Sequence, residues 1–152
     1  MKESMDVLCD TNVILTSITG REDPFLDSCD QILRMAASGK IRAWIAFHSL
    51  STIWYVIRKI KGEQETRLLM ESVCDAFDIA SATHAQVVEA VHNHSFRDFE
   101  DCLQDECAQA VGAKYLITCN IKDFNDSKTK SLTPKAFLEL IEHDDSTDPI
   151  AN

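Results

Sequence analysis

Tyr115-Leu-Ile-Thr-Cys-Asn-Ile-Lys-Asp123-Phe124 decides the fold, because its first residues form a β-rich apolar run without polar alternation and its end turns polar and acidic. A strand of that composition belongs in a sheet covered on both faces, the usual habit of parallel sheets. A second run, Met5-Asp-Val-Leu-Cys9, is short, mostly apolar, and stops at Asp10 in the same way. Paired as parallel neighbours, the two runs bring Asp10, Asn120 and Asp123, with Asp101 from the helix that leads into the second run, to one sheet edge, where open parallel sheets bind ligands.

Helical patterns fill the intervals between such runs. Asn12 to Ile18 predicts a short helix. Asp23-Pro24 supplies an N-cap and a first-turn proline for a helix carrying Leu26, Cys29, Ile32, Leu33 and Ala36, ended by Gly39. Ile41 to Ala46 alternates as a strand, and from Ser49 one stripe of Leu50, Ile53, Trp54, Ile57 and Ile60 runs to Gly62. A third amphipathic helix is expected from Glu63 to Phe77, then a short strand to Ala80. Thr83 and Gln86 spell a capping box before Val87, Val88 and Val91. Asp98 caps a helix to about Val111, and Leu132 to Ile141 gives a last helix with Pro134 near its start. Strands alternating with helices predict a three-layer α/β sandwich with a mainly parallel central sheet. The chain reads as one domain over 1–141, with an acidic tail, 142–152, expected to be disordered.

At 152 residues, 45% of them hydrophobic, the chain buries one real core and is too short for two ordinary ones. Fifteen Lys+Arg against 25 Asp+Glu, a formal net charge of -10, oppose non-specific attraction to a polyanion. Any nucleic-acid contact must be local, metal-assisted or helped by a basic partner. The six cysteines include no C-x-x-C pair and the N-terminus shows no secretory h-region, so reduced thiols in a cytoplasmic protein are expected. The apolar runs are too short to span a membrane.

Asp98, Asp101 and Asp105 are spaced to share one face of their helix, with Phe99, Leu103, Cys107 and Ala110 expected to pack on the other. Asp98 reads first as an N-cap. Asp101 lies in the first turn, where the helix dipole favours its ionised form by roughly 0.3 to 1 kcal/mol. Carboxylates repel, so several of them meeting in one cleft point to a divalent cation between them, and all-oxygen donors suit Mg²⁺ or Mn²⁺. Such an ion, retaining a water, makes hydrolysis of a phosphodiester possible without a protein nucleophile. His92 and His94 read as a surface pair, and Trp44 and Trp54 as core residues rather than base-stacking platforms. Arg58, Lys59 and Lys61, and the looser set Lys114, Lys122, Lys128 and Lys130, read as ordinary surface charge.

At these residues the chain resembles PIN-domain proteins, the family that includes VapC-type ribonuclease toxins. Carrying the resemblance are Val7-Leu-Cys-Asp10-Thr-Asn-Val-Ile-Leu15, Phe99-Glu-Asp101-Cys-Leu-Gln104 with Cys107-Ala108, Leu116-Ile-Thr-Cys-Asn120-Ile-Lys-Asp123-Phe124, and Leu132-Thr-Pro-Lys-Ala-Phe137. The resemblance implies a Mg²⁺- or Mn²⁺-dependent endoribonuclease with Asp10, Asp101 and Asp123 as catalytic, metal-holding acids. Asn12, Thr52, Asp105, Thr118 and Asn120 would stand behind them or against the RNA. It further implies a cytoplasmic homodimer held inactive by a small antitoxin.

Two positions depart from the family pattern. Thr52 stands where relatives commonly carry another acid on the helix after the second strand, and Cys119 where a basic residue often precedes the asparagine. Asp105, one turn beyond Asp101, is the candidate replacement for the lost acid. These departures keep open a second class of function, a PIN-fold module that binds RNA or protein with weakened turnover. A phospho-acceptor receiver domain would need an acceptor Asp after a middle strand, and the chain has none there.

Overall fold

The computed structural model describes residues 5–146. A five-stranded, all-parallel sheet runs in the order β3-β2-β1-β4-β5, built from β1 (Asp6–Cys9), β2 (Arg42–Ala46), β3 (Asp78–Ala80), β4 (Tyr115–Ile117) and β5 (Ser131–Leu132). Cys9 pairs with Ile45 on one side and Ile117 on the other, so β1 is central. The chain winds outward from β1 through β2 to β3, then returns to lay β4 on β1's free side. The switch point in strand order therefore falls between the carboxyl ends of β1 and β4.

Among the described residues seven α-helices cover the sheet: α1 (Thr11–Thr19), α2 (Leu26–Ser38), α3 (Phe47–Lys61), α4 (Glu63–Ala76), α5 (His84–His92), α6 (Phe99–Ala110) and α7 (Pro134–Ser146). Strand alternation divides the core in two. Val7 and Cys9 pack with Ile45, Ile117, Ile32, Ile53 and Phe137, whereas Leu8 and Leu116 face Ala90, Cys102, Ala108 and Phe124. Both faces of β1 are thus buried, which is why its run reads as nearly continuous apolar sequence. Tyr115 and Phe137 meet edge-on at 6.3 Å and fasten α7 against β4.

Local chemistry explains most boundaries. Thr83 and Gln86 form the expected reciprocal capping box at α5. Asp98 caps α6, its Oδ1 accepting from the N–H groups of Glu100 (2.7 Å) and Asp101 (3.4 Å). Gly39, at φ 78°, takes the left-handed conformation that ends α2, its N–H reaching Ala36 and Met35 carbonyls.

Several expectations need correction. Asp23 does not cap α2 directly: its Oδ1 accepts from the Phe25 N–H at 2.7 Å, one turn earlier, so Asp23-Pro24 forms the approach to the helix. β5 takes Leu132 out of the last helix, which starts at Pro134 and continues to Ser146, past the expected end at Ile141. The rest of the acidic tail, 147–152, lies outside the described residues. Trp44 and Trp54 are half-buried rather than core, each with an arginine over its ring, Arg42 at 4.6 Å and Arg67 at 5.2 Å. The expected split of α6 is also wrong, since Phe99 is 48% exposed whereas Asp105 and Glu106 are each 2% exposed.

Candidate metal centre

Asp10 ends β1, caps α1, and is 4% exposed. Its two oxygens are held apart. Oδ1 accepts from the Thr11 N–H at 2.8 Å, and Oδ2 accepts from the Thr118 hydroxyl at 2.9 Å. Thr118 follows β4 directly, and its Oγ1 accepts from the Asn120 N–H at 3.0 Å. Asn12 reaches the same loop, its Oδ1 accepting from the Cys119 N–H at 3.2 Å. The two strand ends are therefore laced together by the very residues the sequence puts after each apolar run.

The first turn of α6 completes the cluster. One carboxylate oxygen each from Asp10, Glu100 and Asp101 lies within 4.8 Å of the others, the one such group able to hold a metal among the described residues. Burial pushes the Asp10 carboxyl up to about 6, reinforced by the Glu100 charge and opposed by the Thr118 and Thr11 bonds. Asp101 is pushed up to about 7 by burial first, then by the charges of Asp10, Glu100 and Asp98. Glu100 moves the other way, below its ordinary range, because of its hydrogen bond with His48. Burial opposes a charge on His48, but bonds to Cys107 and Glu100 outweigh it and raise its pKa.

Behind Glu100 stands a buried polar network. His48 Nε2 lies 3.2 Å from Glu100 Oε1, and the fully buried Gln104 donates its amide to Glu100 Oε1 at 2.9 Å and to Ser49 Oγ at 2.7 Å. Ser49 in turn accepts from the Thr11 hydroxyl at 2.7 Å. Glu100, His48 and Gln104 were not foreseen as site residues. Gln104 at i+4 from Glu100 is a helical hydrogen-bonding spacing that was readable, but the reach of His48 from α3 was not.

Asp123 is exposed on the short 3-10 helix Ile121–Phe124, outside the three-carboxylate group. It shares with Asp101 a cleft of about 460 Å³, also lined by Ser95, Arg97, Asp98, Lys122, Asn125 and Asp126. Asp101 is thus common to the three-carboxylate cluster and the open cleft. Asn120, exposed, starts the 3-10 helix that carries Asp123.

Two expected residues stand elsewhere. Asp105 turns away from the cluster: its oxygens accept from the Lys128 N–H at 2.8 Å and the Thr129 N–H at 3.0 Å, so it anchors the loop leading to β5 rather than replacing a missing acid. A helical wheel places it beside Asp101, but that loop approaches from behind. Thr52 is exposed on α3, one turn beyond His48, and brings no carboxylate.

An acidic centre at the switch point of a parallel sheet, its acids drawn from the end of β1 and the first turn of α6 and steadied by Thr118 at the end of β4, defines the class of protein. The sequence model of the PIN domain matches residues 6–129, and the chain belongs to that family. Comparison with curated proteins returns no match. Among solved structures, the chain is similar to VapBC2 from Rickettsia felis bound to a DNA fragment of its promoter (18% identity, 85% of this chain and 98% of that one, TM-score 0.65). It is also similar to a toxin–antitoxin complex from Klebsiella pneumoniae (23%, 84% and 97%, TM-score 0.63). VapC20 from Mycobacterium tuberculosis, a sarcin-ricin loop cleaving toxin, aligns at 13% identity over 72% and 86%, with TM-score 0.52. At these identities the likeness is one of fold. No helix among the described residues is long and apolar enough to cross a membrane.

Proposed function

We propose that the protein is a metal-dependent endoribonuclease that hydrolyses RNA phosphodiester bonds, acting as the toxin of a toxin–antitoxin pair. The observation that carries the reading is the convergence of Asp10, Glu100 and Asp101 within 4.8 Å, two of them with carboxyls pushed up by burial and mutual charge. A fold that holds ionisable acids at such cost has a use for a cation there. The donor set fits Mg²⁺ or Mn²⁺, being made of hard carboxylate oxygens without sulfur or imidazole.

Asp10 and Asp101 would hold the ion, with Glu100 beside them and Asp123 reaching the same substrate from across the cleft. When bound, such an ion supplies charge neutralisation at the phosphoryl group and lowers the pKa of a coordinated water. The chain's own residues do the positioning. Thr11 and Thr118 fix the direction of both Asp10 oxygens, and His48 and Gln104 restrain Glu100. Arg97 and Lys122 line the cleft and offer local attraction for phosphates in a chain whose net charge of -10 otherwise repels RNA.

RNA as the substrate class is supported by the sarcin-ricin loop cleaving toxin, and a small antitoxin as partner by the toxin–antitoxin complexes, that share the fold. Phe47, Tyr55, Ile60 and Leu68, each at least 60% exposed on α3 and α4, offer apolar surface for that antitoxin or for a homodimer. A cytoplasmic location belongs to the same reading. One domain over 1–141 is proposed as the functional unit.

The test is cleavage of labelled RNA with Mn²⁺ by the purified protein and by Asp10→Asn and Asp101→Asn. Loss of about 3 kcal/mol of charge stabilisation predicts on the order of a hundredfold slower cleavage for each variant. Cleavage untouched by both substitutions refutes the assignment. Thr52 favours the second reading, a binding module with weakened turnover, since nothing replaces the acid that the family resemblance leads one to expect on α3. Mn²⁺ binding without cleavage would establish that alternative.

A further inference from the structure

Behind the acid cluster, on the α2 face of the sheet, three thiols converge that the proposed chemistry does not use. Cys9 ends β1, Cys29 is buried on α2, and Cys119 is half-buried in the loop after β4; all belong to one apolar cluster. The Sγ atoms of Cys29 and Cys119 stand 3.8 Å apart, in hydrogen-bond contact across 90 residues of sequence.

We propose that Cys29 and Cys119 form a redox thiol pair, which a hydroperoxide converts into a disulfide bolting the loop after β4 to α2. A disulfide needs its sulfurs at about 2.05 Å, so closure draws the two together by roughly 1.7 Å from the observed contact. Cys119 is the entry point, being the half-exposed member of the pair. Its sulfur, as thiolate, attacks a peroxide oxygen, breaking the O–O bond and releasing hydroxide, which leaves a sulfenic acid. The Cys29 sulfur then attacks that sulfur; the S–S bond forms, the sulfenic oxygen departs as water, and the Cys29 proton goes with it. Two thiols and one hydrogen peroxide give one disulfide and two waters. The hydrogen bond from Cys29 also lowers the pKa of Cys119, in keeping with its role as the attacking member.

The position gives the bond leverage. The Cys119 N–H is held by Asn12, and its neighbour Thr118 donates to Asp10 while accepting from Asn120. Pulling Cys119 toward α2 therefore pulls on the bond that sets the direction of Asp10. This consequence rests on the metal reading of the acid cluster; the crosslink does not.

The experiment uses the full chain carrying Cys74→Ser, which removes an exposed thiol able to bridge two molecules. The protein is treated with hydrogen peroxide, alkylated, digested with trypsin and examined by mass spectrometry without reduction. Cleavage after Arg21, Arg34, Lys114 and Lys122 places Cys29 and Cys119 in peptides 22–34 and 115–122, apart from the peptide that carries Cys9. The expected result is a linked pair of those two peptides, lost on adding dithiothreitol and absent from Cys29→Ser and Cys119→Ser. Alkylated free thiols at both positions, a sulfinic acid on Cys119 without a link, or a link from Cys119 to Cys9 would each overturn the proposal. Calorimetry with Mn²⁺ supplies the second readout: affinity at least tenfold weaker in the crosslinked protein and restored by dithiothreitol. Crosslinking with unchanged Mn²⁺ affinity overturns the leverage on Asp10. A reduced protein that crosslinks normally but never binds Mn²⁺ refutes the metal reading and leaves the thiol pair standing.

Discussion

Replacing Asp10 by asparagine should make the metal-free protein more stable at pH 8, although Asp10 is nearly fully buried and hydrogen-bonded through both oxygens. Its carboxyl rises from an ordinary 3.8 to about 6, and at about 1.4 kcal/mol per pH unit this disfavours the ionised form by roughly 3 kcal/mol in the fold. The sign follows from linkage. Between pH 3.8 and about 6 the folded state binds this proton more tightly than the unfolded chain, so stability falls as pH rises through that window. Above it the whole cost is present; below it the cost vanishes. Asn keeps an acceptor for the Thr11 N–H but turns a donor toward the Thr118 hydroxyl, a loss of about 1 kcal/mol. The expected balance is a gain of about 2 kcal/mol at pH 8, or roughly 4 to 8 °C in Tm for a domain of this size, and a loss of about 1 kcal/mol at pH 4. Thermal denaturation in EDTA at both pH values measures it. Adding Mn²⁺ at a hundredfold over Kd should raise the native protein by about 2.7 kcal/mol and leave Asp10→Asn unmoved. Equal destabilisation at pH 4 and pH 8 would show that Asp10 is a structural cap without the charge conflict assigned to it.

Other substitutions separate scaffold from site. Asp105→Ala strands the backbone N–H groups of Lys128 and Thr129 and should cost about 2 to 4 kcal/mol in urea denaturation, with Mn²⁺ affinity unchanged; a drop in affinity would return Asp105 to the site. Glu100→Gln should weaken Mn²⁺ binding about tenfold and bring the His48 pKa back down toward its ordinary 6.5, as followed by NMR titration of its imidazole. Asp123→Asn should slow RNA cleavage while altering Mn²⁺ affinity less than Asp101→Asn does, because Asp123 lines the cleft without joining the three-carboxylate group. Phe137→Ala, at a fully buried ring packed edge-on against Tyr115, should cost about 3 to 5 kcal/mol with no effect on metal binding beyond that of lost folding.

The sheet and the place of Asp10 were legible because apolar runs without alternation mark β1 and β4 and each ends where the polar residues begin; Asp101 was legible as an acid in the first turn of the capped helix that leads into β4. The caps at Thr83 and Asp98 were legible because a cap depends on residues two or three positions away. β5 was not, because two residues, Ser131 and Leu132, are too few to show a period of two. Asp105 was placed in the site and Glu100 passed over for a shared reason. Helical spacing ranks residues around their own axis, but the N–H groups of Lys128 and Thr129 and the imidazole of His48 come from distant segments and decide what each carboxylate faces. Trp54 follows the same pattern, the arginine above its ring, Arg67, coming from α4, whereas Arg42 over Trp44 sits two residues back on the same strand.

Anomalous diffraction at the manganese edge, from crystals soaked in Mn²⁺, addresses the acid cluster without passing through activity or stability. A single strong peak is expected within bonding distance of Asp10 and Asp101, beside Glu100 and facing the cleft that Asp123 lines. A fully soaked crystal with no peak there, or with manganese only on other surface acids, would contradict it.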